Sequence, residues 1–231
     1  MTRDQQRDLD RARGLAVDRQ FDPGWVATWP DARFVLRGGT FDERGAARVR
    51  AFLERFLVFS TGEWAGQPFR LLEWQWRAVV GPLYGWKRPD GTRRYRRASV
   101  WLPKKNGKTE VAAALALFHL LADGEQTPRV ALAAVDRYQS SHCFDAAKRM
   151  LPRRRLAARL TVRACRKRMG GRGNERVAEA LSADAEQKEG LNLSALVLDE
   201  LHAWQDVEFF DALRFAGIAR RQPLFVSIST A

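Results

Sequence analysis

Apolar residues recur at helical spacing in "ERGAARVRAFLERFLVF", from Glu43 to Phe59. "LLEWQWRAVVGPLYGW", from Leu71 to Trp86, reads as another helix that ends near Gly81-Pro82 or Gly85. Residues 1–20 are charged and read as a helix or a frayed arm. Residues 21–41 hold Pro23, Gly24, Pro30, Gly38 and Gly39 and read as loop. Beyond them the pattern changes. Short apolar runs at 97–102, 129–134, 194–199 and 223–229 read as buried strands. Stretches at 108–122, 136–150 and near 206–216 read as helices. Residues 160–182 are ambiguous, with "LTVRAC" and "RVAEALS" as shorter strands. Such alternation predicts an α/β fold, a mainly parallel sheet between helices, preceded by an N-terminal helical subdomain. The expected division is 1–64 for the N-terminal helical or arm region and 65–231 for the core. No internal repeat or low-complexity tract is visible.

The run "VWLPKKNGKTEVAAALALFHLL", Val100 to Leu121, carries the first candidate chemistry. Gly107, Lys108 and Thr109 fit the last positions of the phosphate-loop pattern G-x-x-x-x-G-K-[ST], between a strand and a helix. Gly107 lets the backbone turn N–H groups toward phosphate oxygens. Asn106 tolerates left-handed backbone angles and helps the loop curve. Lys108 brings charge to the terminal phosphates, and the Thr109 hydroxyl can ligate Mg²⁺. Leu102 stands where the first glycine is expected, and Pro103 is the alternative means of fixing that turn. A second feature is independent of the first. "ALVL" leads straight into Asp199-Glu200. Paired carboxylates at the end of a buried strand suit a Mg-nucleotide hydrolase, with Asp199 on the metal shell and Glu200 orienting or deprotonating water. The competing reading of the pair is a cap on the following helix.

Composition adds direction rather than detail. The chain has 231 residues and 45% hydrophobic content, enough for one substantial core with a small appendage. A formal net charge of +13 and a pI near 10.7 point to an anionic partner. Cys143 and Cys165 are too few for a disulfide framework or a zinc site. The charged start has no apolar core of a signal peptide, and no apolar run is long enough to span a membrane.

Taken in order, these segments resemble the large terminase subunit of tailed bacteriophages, the ATPase that drives DNA into a preformed capsid. "PFRLLEWQWRAVVGPLYGW" resembles the family's adenine-side segment, with Gln75 as the base contact. "WLPKKNGKT" resembles its variant phosphate loop, in which the first glycine is often missing and a basic residue is common. "ALAAVDRYQSSHCFDAAKRM" and "LSADAEQKEGLNLSALVLDELHAW" resemble the segments after the second strand and into the acidic strand. "FVSIST" with Ala231 resembles the coupling motif that senses the γ-phosphate. The resemblance covers about residues 65–231. It implies an additional-strand, catalytic-glutamate P-loop ATPase that uses ATP and Mg²⁺, moves double-stranded DNA, and acts as a homo-oligomeric ring with portal protein and small terminase subunit in the bacterial host cytoplasm. The nuclease domain that normally follows has no candidate acidic cluster here, so nuclease activity is not expected. Ending after a core strand is expected to leave an unprotected edge.

On this resemblance ATP lies between the Gln75 segment and the loop Pro103, Lys104, Lys105, Asn106, Gly107, Lys108, Thr109. Thr109 and Asp199 flank Mg²⁺, Glu200 activates water, and Ser229 and Thr230 relay hydrolysis. Lys104 and Lys105 add charge at the γ-phosphate or are solvated loop lysines. Arg137, Lys148 and Arg149 are candidates for an arginine finger acting on a neighbouring subunit, with Arg149 preferred. His202 reads as packing or a hydrogen bond behind the acidic pair. Trp74, Trp76 and Trp86 read as core. The basic run from Leu151 to Arg176 has two readings, a track for a DNA backbone or a solvated surface. The alternatives to a packaging motor are a helicase-like DNA-dependent ATPase and a non-catalytic nucleotide- or DNA-binding module.

Overall fold

A computed structural model describes residues 1–152, 160–171, 175–182, 191–204 and 206–230, with Arg137 described by its backbone. The chain forms two compact units, residues 1–50 with 72–95, and residues 51–71 with 96–231. These units differ from the 64/65 division expected from local patterning. Residues 72–95, which include Gln75, cluster with the N-terminal segment, and residues 51–64 cluster with the sheet.

In the first unit, α1 (Arg3–Asp18) starts at Thr2, which forms a capping box with Gln5. Leu9, Ala12 and Ala16 are its buried stripe. Residues 21–41 are not simply loop. They contain α2 (Trp29–Leu36), where Thr28 caps the helix through Asp31 and Pro30 sits in the first turn. Proline there lacks only an N–H that the helix leaves unused. The strands β1 (Thr40–Phe41) and β2 (Trp86–Lys87) pair antiparallel. The helix α3 (Glu43–Phe56) follows β1 in the chain. The expected helix at 71–86 is α4 (Glu73–Gln75), a π-helical turn at Trp76–Val80, and α5 (Gly81–Gly85). Trp86 is 2% exposed and meets Phe21, Phe34 and Phe41 edge-on. Trp76 packs partly against the same core. Trp74, expected in the core, is exposed at the surface.

The second unit is built on a seven-stranded sheet. Its strands are β3 (Arg97–Leu102), β4 (Arg129–Ala134), β5 (Thr161–Arg163), β6 (Arg168–Gly170), β7 (Val177–Ser182), β8 (Ala195–Asp199) and β9 (Leu224–Thr230). Their order is β3-β9-β8-β4-β7-β6-β5. The first five of these run parallel, and β6 is antiparallel to both of its neighbours. The described parts of the ambiguous stretch 160–182 hold three strands, β5, β6 and β7, which extend the sheet beyond β4. Helix α6 (Lys108–Leu121) is apolar on all sides and buried from Val111 to Leu120, as a helix enclosed in a core must be. Helix α7 (Arg137–Arg149) is capped by Asp136, and α8 (Val207–Phe215) by Asp206. The face of α8 that carries Phe209 and Leu213 covers Ala131, Ala133, Leu196 and Leu198.

Two consequences position the site. Strand β9 lies between β3 and β8, so one inserted strand separates the strand before "NGKT" from the strand before Asp199. The expectation of an open edge at the last strand is corrected: β9 is paired on both sides, and the described sheet has its edges at β3 and β5. The carboxyl ends of β3, β9 and β8 sit together, where ligands bind in such sheets.

Candidate nucleotide site

The chain turns sharply after β3. Lys105 and Gly107 have positive φ values of 67° and 71°, and Gly107 is the residue from which α6 starts. Asn106 is not in the left-handed region, so its expected part in curving the loop is different. Its side-chain amide donates to Pro103 O at 3.2 Å and Lys104 O at 3.3 Å, tying the turn from inside. Pro103, Lys104, Lys105 and Asn106 are exposed, and Thr109 is half-buried in the first turn of α6. The next residue, Glu110, accepts hydrogen bonds from Ser60 N–H, Ser60 Oγ and Thr61 Oγ1, anchoring the loop after Phe59 to the start of α6. No local pattern pointed to this anchor.

Lys108 turns back over the end of the sheet. Its Nζ donates to Thr230 Oγ1 at 2.6 Å and to Leu102 O at 3.3 Å, and lies 3.6 Å from Glu200 Oε1. Thr230 in turn donates to Glu200, through its N–H at 3.1 Å and its hydroxyl at 3.0 Å. Lys108, Thr230 and Glu200 thus form one charged network drawn from α6, β9 and the end of β8. Glu200 has φ 48° and ψ 55°, a conformation that side chains other than glycine avoid and that clusters at functional sites. Trp204 Nε1 donates to Asp199 O at 3.1 Å, and its ring stacks on Phe209 of α8. His202 Nδ1 lies 2.8 Å from Ser229 Oγ, so the second of its two expected roles, a hydrogen bond behind the acidic pair, is the one seen.

The two carboxylates are held differently. Burial and then the charge of Glu200 push Asp199 above the usual carboxylate range, against Lys108 and His142. At Glu200 burial also pulls upward, but the Thr230 hydrogen bonds, Lys108 and His202 outweigh it and lower its pKa. Burial, Asp199 and Glu110 push the Cys143 thiol up, so it packs as a neutral residue. No group of three or more His, Cys, Asp or Glu side chains among the described residues could hold a metal ion by itself.

Other expected residues lie elsewhere. Gln75 is 5% exposed in the first unit, where its Oε1 accepts from Leu72 N–H at 3.0 Å. Arg149 is exposed in the last turn of α7, at the end opposite to Asp136 and the strand terminus it follows. A helix of this length puts it roughly 20 Å from that terminus. The side chain of Arg137, Ala231, residues 183–190 and the parts 153–159 and 172–174 of the basic run fall outside the described residues.

The arrangement can cradle an anion at the start of α6 and place a carboxylate beside it. The chain is similar to known proteins. The family described as "Terminase large subunit, ATPase domain" matches residues 73–231. The terminase large subunit of Enterobacteria phage HK97 is 32% identical over 190 residues, 79% of this chain and 36% of that protein. The crystal structure of the HK97 bacteriophage large terminase superposes with a TM-score of 0.66 at 30% identity, covering 80% of this chain and 37% of that one. The large terminase ATPase domain of Thermus phage P74-26 is more distant, with a TM-score of 0.48, 20% identity, and coverage of 59% and 61%. The chain belongs to the terminase large subunit ATPase-domain family. It spans little more than a third of the length of the HK97 relative, at 36%.

Proposed function

We propose that this chain is the ATPase motor portion of a phage terminase large subunit, coupling Mg-ATP hydrolysis to movement of double-stranded DNA into a procapsid. The observation that carries the reading is the Lys108–Thr230–Glu200 network at the joint carboxyl ends of β3, β9 and β8. In this reading the N–H groups from Lys104 to Thr109 receive the phosphates, and Lys108 neutralises their charge. Lys104 and Lys105 add field from the exposed side of the turn. Glu200, held ionised, accepts the proton of the attacking water. Ser229 and Thr230 carry the change at the phosphates into β9. Arg149 serves a neighbouring subunit in a ring.

Magnesium fits the donor set. Asp199 carries a charge penalised by burial and by Glu200, which a divalent cation offsets. Magnesium keeps several waters and takes one or two protein oxygens together with phosphates, so a cage of protein ligands is not needed. Thr109 and Asp199 would hold it, and it would supply charge neutralisation at the phosphates. Among the described residues no helix is long and apolar enough to cross a membrane, and the host cytoplasm is the proposed place of action. The proposed partners are duplex DNA, portal protein and the small terminase subunit.

The test is ATP hydrolysis by the purified chain with Mg²⁺, beside Glu200→Gln, with and without duplex DNA. The expected result is turnover that falls about 10²-fold or more in the variant, the size of a lost general base, and that rises with DNA. Equal turnover in the two proteins overturns the site assignment. Turnover indifferent to DNA counts against a motor.

A further inference from the structure

Three hydrogen-bonding groups meet at His202. The residue stands in the short turn Leu201–Ala203 that directly follows Glu200. Its Nδ1 is 2.8 Å from Ser229 Oγ and 3.2 Å from Glu200 Oε2. Its backbone N–H donates to the same serine oxygen at 3.4 Å. Ser229 is 1% exposed, whereas half of the His202 side chain faces solvent. The ring therefore reaches from the surface into the end of β9.

The proton on Nδ1 follows from its neighbours. An ionised carboxylate only accepts hydrogen bonds, so the contact with Glu200 requires Nδ1–H as donor. Ser229 Oγ then accepts from both Nδ1–H and the His202 backbone N–H, which fills its two lone pairs. A ring with a bare Nδ1 would set a lone pair against the carboxylate. The ring orientation is thus fixed by two partners from different elements, one after β8 and one in β9.

We infer that His202 is a positioning residue, which fixes the direction of the Glu200 carboxylate and ties it to Ser229 on β9. The inference rests on the ATP-hydrolysing reading of this site. Without the imidazole, Glu200 keeps Thr230 and Lys108, but nothing joins its Oε2 to the serine. The carboxylate stays charged and is less well directed, and a misplacement of about 1 Å costs on the order of 10²-fold in rate. Ser229 also loses its side-chain partner, so movement of the carboxylate no longer reaches β9 by this route.

Two measurements test it. The first compares His202→Ala and His202→Asn with the parent protein in Mg-ATP turnover. Asparagine can place an amide N–H near the position of Nδ1–H. The expected result is a kcat about ten-fold lower in His202→Ala with KM within about two-fold, and recovery to within about three-fold in His202→Asn. An unchanged kcat in His202→Ala, or a loss that asparagine does not restore, overturns the inference. The second needs no turnover. It follows the His202 ring nitrogens by NMR while Mg²⁺ and a non-hydrolysable ATP analogue are added. The backbone amides of Gly107 and Lys108 report binding, and the ring reports coupling. Shifts at the loop and the ring together support the inference, with Nδ1 protonated at the start. Shifts at the loop with a silent ring overturn it and leave the ATP reading standing. No shift at the loop removes the ATP reading itself, and the positioning role with it.

Discussion

Lys108 and Thr230 are 122 residues apart in the chain, yet the lysine Nζ donates to the threonine Oγ1 at 2.6 Å. The side chain of Lys108 is only 8% exposed. A cation so enclosed needs acceptors, and the threonine hydroxyl supplies one while passing its own proton toward Glu200. One hydroxyl therefore joins the first residue of α6 to the acidic residue after β8.

Thr230→Val keeps the shape and removes that joint. Hydrogen bonds to charged groups contribute roughly 1.5–3 kcal/mol. If they act in the transition state, ATP turnover falls about 10–100-fold. The Thr230 N–H contact to Glu200 survives, so nucleotide binding changes less than kcat. Thr230→Ser, which retains a hydroxyl, stays within a few-fold of the parent. Steady-state kinetics on the two variants checks this, and equal losses in both would show that the methyl group matters and not the hydroxyl.

Lys105 has φ 67° in an exposed turn. Left-handed angles cost a side chain about 1–2 kcal/mol, while glycine loses about 0.5–1 kcal/mol more entropy on folding. The terms nearly cancel, so Lys105→Gly unfolds within about 1 kcal/mol of the parent. Lys105→Val, branched at Cβ, is the less stable of the two. Lys105→Asn tolerates the angle and removes the charge. All three variants remove the charge, so a loss of ATP affinity shared by all of them assigns a phosphate role to it, and thermal unfolding with ATP titration separates this from the backbone effect.

The strands and helices around the site were legible because each is a short apolar run closed by breakers or a capping Asp, as at Asp136 before α7. Gly107 at the start of α6 was legible for the same reason, since its φ of 71° is one that glycine adopts freely. What escaped is non-local. Residues 72–95 join 1–50 because Trp86 meets Phe21, Phe34 and Phe41, a cluster that no window of sequence contains. The helix α2 was obscured by Pro30, which reads as a breaker until Thr28 and Asp31 are seen to cap the turn around it. The anchor from Ser60 to Glu110 spans 50 residues, and the contact from His202 to Ser229 spans 27. Periodicity cannot report such pairs. At Asn106 the residue type was right for a curved loop, but the left-handed angles fall on Lys105 and Gly107 and the amide acts through its hydrogen bonds.

In the first unit Arg94 donates to Asp31 at 2.7 Å with both side chains largely buried, at 15% and 11% exposure. It also donates to Pro30 O and lies over Phe34 at 4.4 Å. Removing one partner of a buried pair costs about 3–5 kcal/mol. Arg94→Met is expected to lose about that much, and Arg94→Lys less, because lysine keeps the charge but not the planar fork or the stacking. Urea unfolding followed by tryptophan fluorescence reads this out, with Trp86 in the same core. A loss below about 1 kcal/mol in Arg94→Met would place the stability of this unit in its aromatic core alone.

Asp199 sits where function and stability oppose each other. Burial and the charge of Glu200 raise its pKa in the folded chain above the ordinary 3.8. Above the raised value the group is ionised in both folded and unfolded chains, and the fold carries the full penalty. As pH falls through the raised value the folded chain takes up its proton first, and the penalty shrinks until pH drops below the unfolded value. Asp199→Asn removes the charge and keeps an oxygen for the Glu200 backbone N–H. The variant is therefore expected to melt higher than the parent at neutral pH, with the gain fading as pH falls toward 3.8. Glu200 behaves in the opposite sense. Its lowered pKa means stability that is present above the ordinary 4.5 and lost as pH falls through the folded value, so Glu200→Gln melts lower at neutral pH. Melting curves of the two variants across this range check both signs. If Asp199→Asn melts lower at neutral pH, its carboxylate is held by a donor stronger than the burial that opposes it, and the tension that suits Asp199 to a metal is absent.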